Sequence, residues 1–520
     1  MQYNGEVTWR VCIPFLAILL VACGTDAVPT RMCASDEDCR GGVCVADEAR
    51  PRDLEPLELA CGEESADGGD VGKRCEAAED CARGICLLAG ACAMPCASDD
   101  QCGALERCQD TFARTAPAML QPVRTCVPIV TLPKDARVML DVREDALTGI
   151  TVHKGMMVLP LDAIRLPGAK TTTWFVLEHA DDDAWPKSMF CRPPLCPLTL
   201  RARGKTSAVL FDRSEIDRRC PQIAPPEQFT GPLNTVNDDD HANPIVAMIP
   251  NGPASIVTDA GYDITVSDEM AGDLRVLTVA HDTTDDDGAE RMLDLNVFWV
   301  GVDRDDTRLD TTIEELDVIF ADAAIRIGDV RHVDVKGDLP NVGTTFEMPE
   351  ARGKGFKDLA FIYGVHAEQP ALFRLSAGAP DAAANVFVVD SIDPGKGDPF
   401  GKSGGTPGPP GMHGTGSSGV VVEVGQLTGR TLAHELGHWL GLFHTSEAMS
   451  ATGDAACVFE PLQDTPECHV DRDTDGDGHL SCEECAGAGA ENLMFPTACE
   501  ATELSPQQIA ILRTAPVLHR

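Results

Sequence analysis

Between His434 and His444 the chain reads HELGHWLGLFH, which places three imidazoles and a carboxylate in one short stretch. No proline interrupts Thr431 to Leu440, and Leu432, Leu436 and Leu440 recur on one stripe, so this run is predicted to be helical. His434 and His438 then project from one helix face a turn apart, where two imidazoles meet one metal ion. Glu435 is rotated from His434 by about one hundred degrees, which keeps it off the metal and within reach of a water on it. Gly441 lets the helix end and the chain turn back, so that His444 supplies a third ligand. Three protein ligands leave a fourth position for water, as a catalytic zinc site needs and a structural one does not. The chemistry expected of this set is amide hydrolysis by a zinc-activated water, with Glu435 as general base and then as proton donor to the leaving amine. HExxH alone arises by chance in on the order of one such chain in fifty; requiring Gly441 and His444 lowers that by roughly several hundredfold.

A second ligand pattern follows. Asp473-Thr474-Asp475-Gly476-Asp477-Gly478-His479-Leu480-Ser481-Cys482-Glu483-Glu484 fits the twelve-residue calcium loop. Asp473, Asp475 and Asp477 take positions one, three and five, Gly478 the sharp turn, His479 a carbonyl, Ser481 a water-mediated place and Glu484 the bidentate one. No helix signal precedes it, so a structural calcium ion in an isolated loop is expected.

The extended pattern HExxHxxGxxH resembles the metzincin zinc peptidases, and HELGHWLGLFHT is most similar to their pappalysin group. The resemblance implies a Met-turn beneath the zinc, for which Asn492-Leu493-Met494-Phe495-Pro496 is the match. Asp464-Thr465-Pro466 looks like the family's DTP segment, and Cys499 with Leu504-Ser505-Pro506-Gln507-Gln508 like its closing helix entry. One position departs from the pattern. Many relatives carry a tyrosine two residues after the Met-turn methionine, where this chain has Pro496; its tyrosines are Tyr3, Tyr262 and Tyr363.

The elements that must position these residues begin near residue 290. Leu293–Val300 and Asn385–Val389 read as strands, and Thr311–Ile327 as an amphipathic helix with Thr311 or Thr312 as N-cap. The glycine- and proline-rich stretch 401–419 and the apolar Val420–Val424 lead into the histidine helix, an α/β arrangement. That stretch has no lysine or serine following it in phosphate-loop spacing, so a phosphate cradle is not supported. From 127 to 289 short apolar runs, Val138–Val142, Thr173–Leu177, Ser207–Phe211, Ile245–Ile249 and Leu274–Ala280, suggest antiparallel strands in a sandwich-like region. Acidic loops at 181–183, 238–240 and 285–287 read as solvated.

Residues 23–126 carry three sets of four cysteines: 33, 39, 44 and 61; 75, 81, 86 and 92; 96, 102, 108 and 126. Each set opens C-x5-C, so these are repeated modules too small to fold without disulfides, expected to act as a spacer. Four cysteines allow three connectivities, and the spacing does not choose. Zinc binding there is disfavoured because the segments lack histidine. Cys191, Cys196 and Cys220 in the middle and Cys457, Cys468, Cys482, Cys485 and Cys499 beyond are odd sets, leaving open a bridge between regions or a free thiol.

Arg10 and the apolar run Val11 to Ala22 read as a signal peptide, residues 1–22. Leu20-Val21-Ala22-Cys23 resembles the bacterial lipobox, which implies acylation of Cys23 and a lipid anchor at the cell envelope, at the outer membrane or cell surface. Export agrees with disulfide formation. Of 520 residues, 83 are acidic and 42 basic, a net charge of −41 that repels nucleic acid and favours solubility and cation binding; the partner expected from the histidine motif is a protein or peptide substrate. The whole is read as a multidomain protein: disulfide-rich repeats, a β-sandwich-like middle and an α/β (α+β) zinc peptidase at 290–520, with catalytic Zn2+ and structural Ca2+. The rival expectations are an inactive surface scaffold and a calcium-dependent adhesin.

Overall fold

The computed structural model describes short pieces before residue 68, then 68–116, 119–133, 138–143, 151–153, 156–161, 170–179, 199–204, 209–212, 233–234, 245–252, 257, 259–267, 274–283, 288–335, 358–360, 372–393, 401–446, 461–476, 480–496 and 499–520. Several expectations lie outside those residues: the signal segment and Cys23, the three acidic loops, Cys191, Cys196, Cys220, Cys457, Asp477, Gly478 and His479. Among the described residues, no helix is long and apolar enough to cross a membrane.

The C-terminal sheet comprises β1 (Arg291–Val300), β2 (Ile325–Val335), β3 (Ala383–Val389), β4 (Gly401–Ser403) and β5 (Val420–Glu423), in the order β2-β1-β3-β5-β4. β2, β1, β3 and β5 run parallel, and β4 is an antiparallel edge. β3 is buried at every position, as a parallel strand covered on both faces must be. On one face Leu295, Val297 and Trp299 pack with Leu316 and Phe320 of α1 (Asp306–Phe320) and with Leu432 and Leu436 of α2 (Gly429–Trp439). A last short helix, α3 (Pro506–Leu512), adds Ile511 and Leu512 to this core.

Among the described residues, the opposite face carries no long helix. Phe298 stacks on Phe387 at 4.6 Å, and this layer is completed by Leu88, Phe112 and Leu120 from the cysteine-rich region. Each is nearly or fully withdrawn from water, a contribution of roughly 1.5–3 kcal/mol apiece before entropy is counted. The spacer expectation is therefore corrected for the second and third repeats, which are part of the sheet's core. Their disulfides join Cys75 to Cys86, Cys81 to Cys92, Cys96 to Cys108 and Cys102 to Cys126, first to third and second to fourth within each set; Cys33–Cys44 follows the same rule.

In the middle region, Val138–Arg143, Thr171–His179, Leu233–Asn234, Ile245–Ile249 and Leu274–Asp282 form one antiparallel sheet. Thr151–His153, Met156–Leu161, Thr199–Ala202, Val209–Asp212 and Tyr262–Ser267 form a second. Phe175 meets Tyr262 edge-on at 5.5 Å between them, so the sandwich expectation agrees with the packing. The other face of the first sheet presents Trp174, Val176 and Met248 to the core beneath α2.

Two element boundaries are corrected. α1 starts at Asp306 with Asp305 as its cap, accepting from the Arg308 N–H at 3.0 Å, rather than at Thr311 or Thr312. It stops at Phe320, and Ile325–Ile327 belong to β2. The first turn is polar and mostly exposed, so apolar periodicity begins late, and the helix is followed by Ala324 at φ +48° without a glycine to announce it.

Candidate metal centre

α2 is capped by Thr428, whose hydroxyl accepts the Thr431 N–H at 3.2 Å, and it ends at Trp439. Gly441 follows at φ +115°, and a Cβ there would sit 2.8 Å from the Met248 methyl, so both conformation and space call for glycine. The Leu442 N–H donates to the Gly437 carbonyl at 2.8 Å, turning the chain back to bring His444 under the helix.

The three imidazoles converge. His444 Nε2 lies 3.2 Å from His434 Nε2 and 3.1 Å from His438 Nε2. His434 Nδ1 faces the Leu493 carbonyl at 2.8 Å and His438 Nδ1 faces the Leu442 carbonyl at 2.7 Å. A carbonyl only accepts, so both Nδ1 atoms carry the proton and both Nε2 lone pairs point at one place. Burial, reinforced at His434 by the neighbouring His438, His444 and Arg430, holds its pKa well below the ordinary value; burial likewise lowers His438 to about 4 and His444 well below. Neutral imidazoles with clustered lone pairs repel one another until a cation sits among them. Tetrahedral nitrogen ligands about 2.0–2.1 Å from zinc would be spaced roughly 3.3 Å apart, close to the separations here.

Glu435 lies beside this cluster, 8% exposed. Burial pushes its carboxyl up to about 8, opposed by the charges of Arg430 and Lys402 and by the Ser403 N–H. A Cβ on Gly401 would lie 2.7 Å from Glu435 Cγ, so β4 crosses directly over the carboxylate. Gly401, Lys402, Ser403 and Arg430 were not foreseen as site residues. Arg430 was findable, four residues before His434 on the same helix face; β4 was hidden in a stretch whose composition signals only turns.

Met494 is fully buried beneath α2. Its turn is held by the Asn492 side chain, which accepts the Met494 N–H at 2.9 Å and exchanges bonds of 2.8 and 3.0 Å with Gln508. The Thr445 N–H donates to the Met494 carbonyl at 3.1 Å, so the turn is tied to the strap that carries His444. Asp464 accepts from Ser505 Oγ at 2.7 Å and from the Gln507 N–H at 2.9 Å, anchoring the start of α3. Pro496 stands near this turn, Tyr262 is buried in the sandwich, and Tyr3 and Tyr363 lie outside the described residues.

In the acidic loop, carboxylate oxygens of Asp473, Asp475 and Glu484 lie within 4.8 Å of one another. Glu484 accepts from the backbone and hydroxyl of Thr474 and of Ser481, led by the Ser481 N–H, which lowers its pKa to about 2. Disulfides Cys468–Cys485 and Cys482–Cys499 frame this loop, settling a pairing the sequence left open.

No family model and no curated relative matches the chain. Among solved structures it is similar to metalloproteinase-II from Bacteroides fragilis, at 15% identity over 36% of this chain and 58% of that one, with a TM-score of 0.21. Archaemetzincin from Methanopyrus kandleri matches at 16% identity over 43% and 88% of the two chains, TM-score 0.20. A chaperone-substrate complex matches at 11% identity, over 51% of this chain and 38% of that one, TM-score 0.22. The chain thus spans little more than half of the first of these, and overlaps of this size carry no argument about function.

Proposed function

We propose that this chain is a zinc-dependent endopeptidase, with His434, His438 and His444 as metal ligands and Glu435 as general base. The observation that carries it is the convergence of three Nε2 atoms, two of them held proton-free by carbonyls behind their rings, beside a buried carboxylate. Zinc, when bound, supplies Lewis-acid activation of a water and of the scissile carbonyl. Glu435, with its proton affinity raised by burial, takes the water's proton and hands it to the departing amine. The two backbone carbonyls behind His434 and His438 keep those rings in the ligand tautomer.

β4 supports a peptide as substrate. Among the described residues it is the edge strand of its sheet and runs beside Glu435, so an extended chain laid along this edge would be recognised through its main chain, a mode that accepts many side chains. With Pro496 where metzincin-like relatives carry a tyrosine, the developing oxyanion has no phenol there; Arg430 and Lys402 are the cations whose charge reaches Glu435.

Asp473, Asp475, Asp477, His479, Ser481 and Glu484 form our proposed calcium loop, a structural brace between α2 and the Met494 turn. Lipid attachment at Cys23, and with it an envelope location outside the bacterial cytoplasm, is proposed from the sequence alone.

The deciding experiment is cleavage of casein and of a broad peptide library by the zinc-loaded protein, with Glu435→Gln as control. Turnover abolished by chelation, and by Glu435→Gln with zinc still bound, supports the proposal. A wild type that binds one zinc ion yet cleaves nothing defeats it and leaves the scaffold.

A further inference from the structure

We infer that the third four-cysteine repeat is a positioning element of the cleft: through Arg107 and Gln109 it holds the glycine-rich loop that carries β4 past Glu435. The inference rests on the peptidase proposal.

The loop from Gly404 to Gly419 leaves β4 and returns as β5. Its neck is closed by the Gly404 N–H donating to the Gly419 carbonyl at 2.8 Å, and the Gly408 N–H donates to the Trp439 carbonyl, at the end of α2, at 2.9 Å. Gly411 and Gly414 have φ of +68° and +73°, conformations open to glycine and expensive to fix because glycine has the most freedom to lose. Such a loop needs outside restraint.

Part of that restraint is internal, since Ser376 Oγ accepts the Gly414 N–H at 2.9 Å. Asn385 and Asp381 hold the His413 ring, and Asn385 Nδ2 also donates to the Ser418 carbonyl at 2.6 Å; further restraint comes from the cysteine region and the segment just after it. Gln109 Nε2 donates to the Gly414 carbonyl at 2.7 Å, Arg107 Nη2 reaches the His413 carbonyl at 3.5 Å, and the Thr131 N–H donates to the Gly411 carbonyl at 2.7 Å. Arg107 Nε also donates to Gln109 Oε1 at 3.0 Å, which turns the amide so that its NH2 faces the loop. Residues 107 and 109 share a strand face because Cys108 between them points the other way. The bridge from Cys108 to Cys96, and that from Cys102 to Cys126 on the paired strand, fix this hairpin. The same loop therefore has one hand on α2, through Trp439, and the other on a module far earlier in the chain.

The test uses the full zinc-loaded chain with Gln109→Glu, which keeps the shape but loses the donor, and Gln109→Lys, which keeps a donor. Hydrogen exchange over 404–419 is read beside KM and kcat on a peptide extending to both sides of the cleaved bond. We expect exchange about tenfold faster in Gln109→Glu, KM raised several-fold with kcat changed less, zinc content unchanged, and substantial recovery in Gln109→Lys. Arg107→Gln, at a half-exposed position, gives the same pattern more weakly and serves if Gln109→Glu does not fold. Unchanged exchange overturns the clamp. Faster exchange with unchanged kinetics overturns the positioning role. Faster exchange in a protein whose wild type cleaves nothing overturns the peptidase proposal and the positioning role with it, while leaving the physical clamp in place.

Discussion

Met494 packs so closely under Gly437 that a Cβ there would lie 2.8 Å from the Met494 sulfur. Gly437 sits inside the zinc helix, between Glu435 and His438, at a position where alanine is ordinarily the better helix former by up to about 1 kcal/mol. Here Gly437→Ala is expected to destabilise by about 1–3 kcal/mol, because a fully buried methionine has nowhere to retreat, and to weaken zinc binding as the turn carrying the Leu493 carbonyl is displaced. Chemical denaturation and competitive zinc titration measure both. A more stable variant with unchanged affinity would show that the sulfur moves freely.

Removing the proton acceptor without removing the metal separates base from ligand. Glu435→Gln should lose about 10²- to 10⁴-fold in kcat while retaining one zinc ion per chain. Parallel turnover and metal analysis decide it; full activity in the variant would assign the base elsewhere.

His413 supplies a pH dependence away from the zinc ligands. Its Nε2 faces the Asp381 carbonyl at 2.6 Å and so carries the proton, leaving Nδ1 to accept from Asn385 Nδ2 at 2.9 Å. Burial lowers its pKa from 6.5 to about 4, against the opposing pull of the Asp381 carbonyl and carboxylate. The folded value lies below the unfolded one, so stability is whole above about pH 6.5, falls as the pH drops towards 4 and then levels, by about 3 kcal/mol. The buried zinc-ligand imidazoles slope the same way, so the difference between wild type and His413→Gln isolates the effect. Denaturation midpoints at pH 7.5 and 4.5 that fall equally in both proteins would contradict it.

Calcium at a hundredfold excess over its Kd should stabilise the chain by about 2.7 kcal/mol, with the gain lost in Glu484→Gln. Thermal unfolding with calcium and with a calcium chelator reads this directly; a wild type indifferent to calcium removes the ion from the proposal.

How far the amino-acid sequence discloses the site depends on the range of the interaction. The pairing of His434 with His438 and the need for Gly441 are local, set by helix geometry and one left-handed residue, and both were legible. The clasp of Asp464 on Ser505 and Gln507 joins two segments that could be marked as motifs, but not as partners. The contact of Gly401 with Glu435 had no local signal, because a glycine in a glycine-rich stretch looks like any other. The burial of Leu88, Phe112 and Leu120 against the sheet was equally silent: apolar residues so sparse in a disulfide framework carry no periodicity, and half-cystines explain the compactness without them.

The Met292 N–H donates to the His519 carbonyl at 2.7 Å, and the His519 N–H returns the bond to Met292 at 3.1 Å. The first strand of the sheet is thus fastened by a segment far later in the chain, just as the ring of His434 is oriented by the carbonyl of Leu493. A chain made from its N-terminus at about 5–20 residues per second delivers these segments well after the strand and the ring they hold. Until those segments emerge, the histidine helix exists without the parts that orient it. On the proposed reading, the zinc site is ordered only when these later segments have joined the helix that carries it.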